Sequence, residues 1–112
     1  MKKVCSITLV LAAWAAAQMP AMAADELVFE MEMKDGVFTP PRLEVPAKTR
    51  FKIIIRNTGT RPGEFESYEL HKEEVVPAGG TGRIIIRSLD PGEYKFVDEF
   101  EPDAPPAIIV AK

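Results

Sequence analysis

The chain has 112 residues, with 14 bases against 17 acids and a single histidine, a formal net charge of −3. That length allows one domain with a modest core, and the acidic balance argues against nucleic acid, which asks for a basic face. One cysteine, Cys5, excludes an intrachain disulfide framework.

Met1, Lys2 and Lys3 open the chain with positive charge, and Ser6 to Ala17 form an apolar run of signal-peptide length. The run is too short for a membrane span, which needs roughly 20 apolar residues. Gln18-Met19-Pro20 breaks it, and Ala21-Met22-Ala23 is a small-x-small cleavage site with the cut expected before Ala24. Cys5 lies too early to be read as a lipid anchor. Residues 1–23 are therefore expected to be a secretory signal peptide and 24–112 a single domain, exported to the periplasm. The remaining 89 residues hold twelve bases and seventeen acids, a net charge of −5, and no thiol.

Along that domain, short strand-like runs alternate with Pro and Gly, an all-β signature. Leu27, Phe29, Met31 and Met33 alternate with Val28, Glu30, Glu32 and Lys34, so one face is buried and one is wet. Phe38-Thr39-Pro40-Pro41 reads as a bend, and Leu43 to Val45 as a short edge-like strand closed by Pro46. Phe51, Ile53 and Ile55 alternate with Lys52, Ile54 and Arg56 until Asn57-Thr58-Gly59 ends the run. Val75 and Val76 precede the turn Pro77-Ala78-Gly79-Gly80. Ile84 to Ile86 follow, and Leu89-Asp90-Pro91-Gly92 is a tight turn with proline second. Tyr94 and Phe96 share a face, and Ile108 to Val110 form the last strand. Seven or eight one-sided strands in so few residues predict a two-sheet Greek-key sandwich. A closed oligonucleotide-binding barrel is the alternative, disfavoured by the charge.

Asn57-Thr58-Gly59, Pro62-Gly63-Glu64-Phe65, Pro77-Ala78-Gly79-Gly80-Thr81 and Pro91-Gly92-Glu93-Tyr94-Lys95-Phe96-Val97-Asp98 together resemble a cupredoxin in order and spacing over about residues 26–112. The resemblance places Gly63 where a first copper-ligating His would stand, Asp98 where the Cys would stand, and Glu101 or Asp103 near the second His. A blue-copper centre needs His, His and Cys, so no blue-copper electron carrier is expected. Glu64-Phe65-Glu66 with Leu70, and the Pro-Gly-x-Tyr strand ending in an acidic turn, are similar to EfeO-type cupredoxin-like domains of periplasmic ferrous-iron uptake systems. That resemblance implies handling or oxidation of iron, with copper as a second candidate ion, and partnership with periplasmic or membrane components of an iron transporter.

Two acidic sets carry the chemistry. Glu64 and Glu66 project to one side of an extended segment, where like charges repel unless a cation or a shared proton offsets them. Strict alternation puts Glu69 and His71 on the other face, unless a turn or bulge near Ser67 resets the register. The second set is Asp98, Glu99, Glu101 and Asp103; Asp98 shares the core-facing side of Tyr94 and Phe96, and burying it demands a partner such as a cation or Arg61. In a cupredoxin sandwich both sets meet at one end. Oxygen donors with at most one imidazole favour hard or borderline ions, iron over copper(I).

Plainer readings stand beside each of these: a solvated acidic rim, an internal salt bridge for Asp98, and an exposed hydrogen-bonded His71. Met31 and Met33 read as core rather than as a copper(I) thioether pair, because Leu27 and Phe29 share their face. Tyr68 is a redox relay or a rim aromatic. The expected function is a periplasmic metal-binding accessory protein of a ferrous-iron uptake system, with any iron oxidation stoichiometric rather than catalytic. The alternative is a metal-free module docking on a permease or another exported protein.

Overall fold

Period-two alternation of apolar and polar residues leaves the chain one economical arrangement, in which each strand buries one face against a second sheet. The computed structural model describes residues 26–112; the leader expected over 1–23, with its Cys5, lies outside the described residues. Nine strands follow in order: β1 (Leu27–Lys34), β2 (Val37–Thr39), β3 (Arg42–Val45), β4 (Phe51–Asn57), β5 (Gly63–Ser67), β6 (Lys72–Val76), β7 (Thr81–Ile86), β8 (Gly92–Asp98) and β9 (Ala107–Ala111). They form a four-stranded sheet, β2-β1-β4-β7, facing a five-stranded sheet, β3-β9-β8-β5-β6. The β1–β4 and β3–β9 pairs are parallel and the other pairs antiparallel.

The all-β two-sheet sandwich is as expected, but the count is nine rather than seven or eight. The added strand is β2, read from sequence as part of a bend. Asp35 and Gly36 both have positive φ, 46° and 89°, which is the turn geometry that suits a two-residue hairpin. It folds Val37–Thr39 back onto Lys34, Met33 and Glu32 before Pro40 ends the strand.

Between the sheets, Phe65 and Phe96 stack with ring centroids 4.3 Å apart, and Phe38 meets Phe65 edge-on at 5.3 Å. Burying each such ring contributes roughly 2 kcal/mol. Met31 and Met33 lie in this core, as their alternation with charged residues predicts. Leu27, expected on the buried face, is the first residue of β1 and is 37% exposed. The aromatic stack holds β5 and β8 side by side in the centre of the five-stranded sheet, and the two acidic sets ride on these strands.

Candidate functional site

Two places hold the residues singled out by sequence, and the sheet itself separates them. Inside the sandwich, Asp98 is buried at 3% exposure opposite Phe65. Its Oδ1 accepts hydrogen bonds from the Glu64 N–H and the Phe100 N–H, both at 3.0 Å. Two backbone donors, rather than Arg61, thus offset the burial of this carboxylate. Arg61 instead pairs with Glu101 at 2.7 Å, removing Glu101 from the set of open carboxylates. Gly63 lies against the same spot. A Cβ there would come within 2.4 Å of the Met33 methyl and 3.0 Å of Asp98 Oδ2, so a side chain at this position would require the end of Met33 to move.

Buried Asn57 braces the adjoining loop. Its Nδ2 donates to the carbonyls of Arg61 and Val76 at 2.8 and 3.0 Å, and its Oδ1 accepts from the Gly59 N–H at 2.9 Å. Asp35 holds the other side of the loop. Its Oδ1 accepts the Thr60 and Arg61 N–H groups at 3.0 and 3.3 Å. The Thr60 bond above all, with the nearby Arg61 charge, keeps the Asp35 carboxyl below its ordinary value.

On the outer face of the five-stranded sheet the alternation exposes the other half of β5. Glu66 stands directly across from Glu73 on β6, two pairs along from Glu64, and the Glu99 N–H donates to the Glu64 carbonyl at 3.0 Å. One carboxylate oxygen from each of Glu64, Glu66 and Glu73 can lie within 4.8 Å of the others. Partial burial first, then a side-chain hydrogen bond shared with Glu73 and the charges of Glu66, Glu73 and Glu99, raises the Glu64 pKa. The Glu66 pKa is raised by partial burial, then by the charges of Glu99 and Glu73. Tyr68 donates to Glu99 Oε2. That bond, with desolvation and the surrounding acids, pushes the phenol up to about 12.

The turn over residues 68–71 does reset the register, with His71 at φ 53°. His71 lines a hollow of about 270 Å³ with Glu66 and Glu73, while Glu69 borders another of about 250 Å³ with Glu66, Lys95 and Val97. Of the eight residues expected at the site, Glu64, Glu66 and Glu99 come together, and Glu69 and His71 stand at the rim. Asp98 faces the interior, Glu101 is paired, and Asp103 is exposed without a side-chain partner among the described residues. Glu73 was missed. A hairpin turn centred on residues 69–70 would have set it opposite Glu66, but the sequence marks a strand only at Val75 and Val76.

A cupredoxin-like domain model matches residues 7–111. The chain belongs to the cupredoxin-like domain family. An uncharacterized protein of Rickettsia prowazekii (strain Madrid E) is 34% identical over 84 residues, which is 75% of this chain and 67% of the relative. Among solved structures, auracyanin B superposes with a TM-score of 0.65 at 11% identity, over 80% of this chain and 91% of that one. A purple cupredoxin from Nitrosopumilus maritimus gives a TM-score of 0.54 at 17% identity, over 75% and 99%. The metal-binding domain of the Streptococcus pneumoniae Cu(I)-exporting ATPase CopA gives 0.60 at 11% identity, over 76% and 84%. At these identities the structures share the fold with this chain.

The interior place does not fit copper of the blue type. Glycine, a methionine methyl and a carboxylate already bonded to two amides occupy it, and such copper wants a thiolate with two imidazoles. The one histidine, His71, lies in the turn over residues 68–71.

Proposed function

We propose that this cupredoxin-like domain binds a hard metal ion as cargo on the outer face of its five-stranded sheet, through Glu64, Glu66 and Glu73, with Glu99 and His71 beside them. The observation that carries this reading is the convergence of three carboxylate oxygens within 4.8 Å. No lysine or arginine forms a salt bridge with any of these glutamates among the described residues. Like charges so placed repel, and a cation relieves the repulsion. An all-oxygen donor set suits iron better than copper(I) and favours ferric over ferrous ion. Together with the resemblance to EfeO-type domains, this supports a periplasmic accessory role in ferrous-iron uptake, in which incoming iron is held at the carboxylates and any electron it loses passes to an external one-electron acceptor or dioxygen.

Isothermal titration of metal-depleted protein with ferrous iron, ferric iron and copper(II) tests the reading. Glu66→Ala and Glu73→Ala should each weaken iron binding about tenfold or more, while Glu30→Ala on the four-stranded sheet should leave it unchanged. Affinity no tighter than millimolar for all three ions would refute it. A second reading is a metal-free docking module, favoured by the interior, where Asp98, its Oδ1 bonded to two backbone amides, packs against Gly63 and the Met33 methyl. It predicts a melting temperature indifferent to added iron, whereas bound metal raises it by mass action.

A further inference from the structure

The alternation of β5 carries one step past the end of the strand. Phe65 and Ser67 are buried, whereas Glu64, Glu66 and then Tyr68 fall on the outer side. The turn that follows fixes Tyr68 at that step. Its carbonyl accepts the His71 N–H at 3.3 Å, and the Ser67 Oγ accepts the Leu70 N–H at 3.3 Å. The chain has two tyrosines, and they are placed differently. Tyr94 packs against the core and donates to the Asp90 carbonyl at 2.7 Å. Tyr68 is 61% exposed and donates its hydroxyl proton to Glu99 Oε2. Glu99 in turn shares a side-chain hydrogen bond with Glu66. Glu66 and Tyr68 both border each of the two hollows on this face, the one that reaches His71 and Glu73 and the one that reaches Lys95. A phenol oxygen therefore stands one carboxylate away from the proposed metal ligands.

We infer that Tyr68 is a further ligand of the ion held at these carboxylates, binding ferric iron through Oη as the phenolate. The inference rests on the metal reading proposed above and adds to it the residue that tells ferric from ferrous ion. A phenolate is a hard anionic oxygen donor, better matched to ferric iron than to ferrous iron or copper(I). When it ligates, the Tyr68 O–H bond breaks, an iron–oxygen bond forms, and the proton passes to Glu99, which already accepts that hydrogen bond. One anion of the Tyr68–Glu99 pair replaces the other, so the charge of the pair is unchanged and no electron moves in this step. The exposed ring can swing from Glu99 toward Glu66 without displacing a packed neighbour. Lys72 and Lys95 border the hollows on either side of Tyr68, and their positive charge favours the phenolate.

Absorption titration of metal-depleted protein with ferric nitrilotriacetate, run beside calorimetry, tests it. Wild type should develop a visible phenolate-to-iron charge-transfer band that saturates with binding, and excitation in that band should enhance tyrosine ring modes in the Raman spectrum. Tyr68→Phe should abolish the band and leave ferrous binding unchanged. It should weaken ferric binding roughly tenfold or more, at least the usual cost of losing a partner outside the ligand shell. Tyr94→Phe should keep the band, which assigns it to Tyr68 even if the Tyr68→Phe protein folds poorly. Glu66→Ala should shift the band to higher iron in step with the affinity lost, placing phenolate and carboxylates on one ion. Ferric iron bound by wild type without the band, a band that survives Tyr68→Phe, or equal losses of ferrous and ferric binding in that variant would overturn the inference and leave the carboxylate site standing. A wild-type protein that binds no ferric iron would overturn both.

Discussion

At the scale of single residues, Asp98 decides what the interior of this sandwich is for. A carboxylate at 3% exposure would be costly without partners, and it has two in the Glu64 and Phe100 N–H groups. Those bonds clamp the start of β5 to the end of β8, so Asp98 acts as a structural tie in the position that the sequence resemblance gives to a copper-ligating thiolate. Asp98→Ala orphans both donors and should cost about 3 kcal/mol, read as a lower urea midpoint with an unchanged slope. Asp98→Asn keeps an acceptor oxygen and should cost clearly less. If the alanine variant were as stable as wild type, the clamp would be an incidental contact. Gly63 completes the same fitting, since any side chain there meets the Met33 methyl.

At the scale of the element, the β5–β6 hairpin carries an electrostatic load. The Glu64 and Glu66 pKa values both rise above 4.5 on folding, through partial burial and neighbouring acids. The folded state therefore holds protons that the unfolded chain has released. The stability this contributes is fully present below about pH 4.5 and is lost as pH rises through the folded values. Asp35 and Glu26, whose values are lowered, act in the opposite sense, losing stability as pH falls through theirs. Comparison with a variant isolates the hairpin. In chelator, the Glu64→Gln/Glu66→Gln protein should melt a few degrees above wild type at about pH 7, and the gap should close by about pH 4.5. A gap that does not change with pH would contradict the assignment. This hairpin is also where sequence legibility ran out. Alternation gave Glu64 and Glu66 a common face, but partners across a sheet depend on turn register, and Tyr68-Glu69-Leu70-His71 lacks the Gly or Pro that marks turns elsewhere in the chain. Glu73 was hidden by that turn, whereas Pro91-Gly92 and Pro77–Gly80 announced theirs.

At the scale of the whole molecule, strand periodicity and the order of the Pro-Gly motifs were enough for the sandwich, because a one-sided strand states which face it buries. The destination of each acid was harder to read. Asp98 and Glu99 are neighbours in sequence, yet successive residues of a strand point to opposite faces, so one enters the core and the other joins Glu64 and Glu66 outside. Arg61, one of the candidate partners for Asp98, meets Glu101 instead, held there by the loop that Asn57 and Asp35 brace. The outcome is a cupredoxin-like scaffold whose interior is closed by hydrogen bonds while its acidic donors gather on the outer surface of β5 and β6. Anomalous diffraction at the iron edge, from crystals equilibrated with ferric iron, tests that relocation most directly. The peak should lie on the outer face between Glu64, Glu66 and Glu73; a peak inside the sandwich beside Asp98 and Gly63, or none at all, would contradict it.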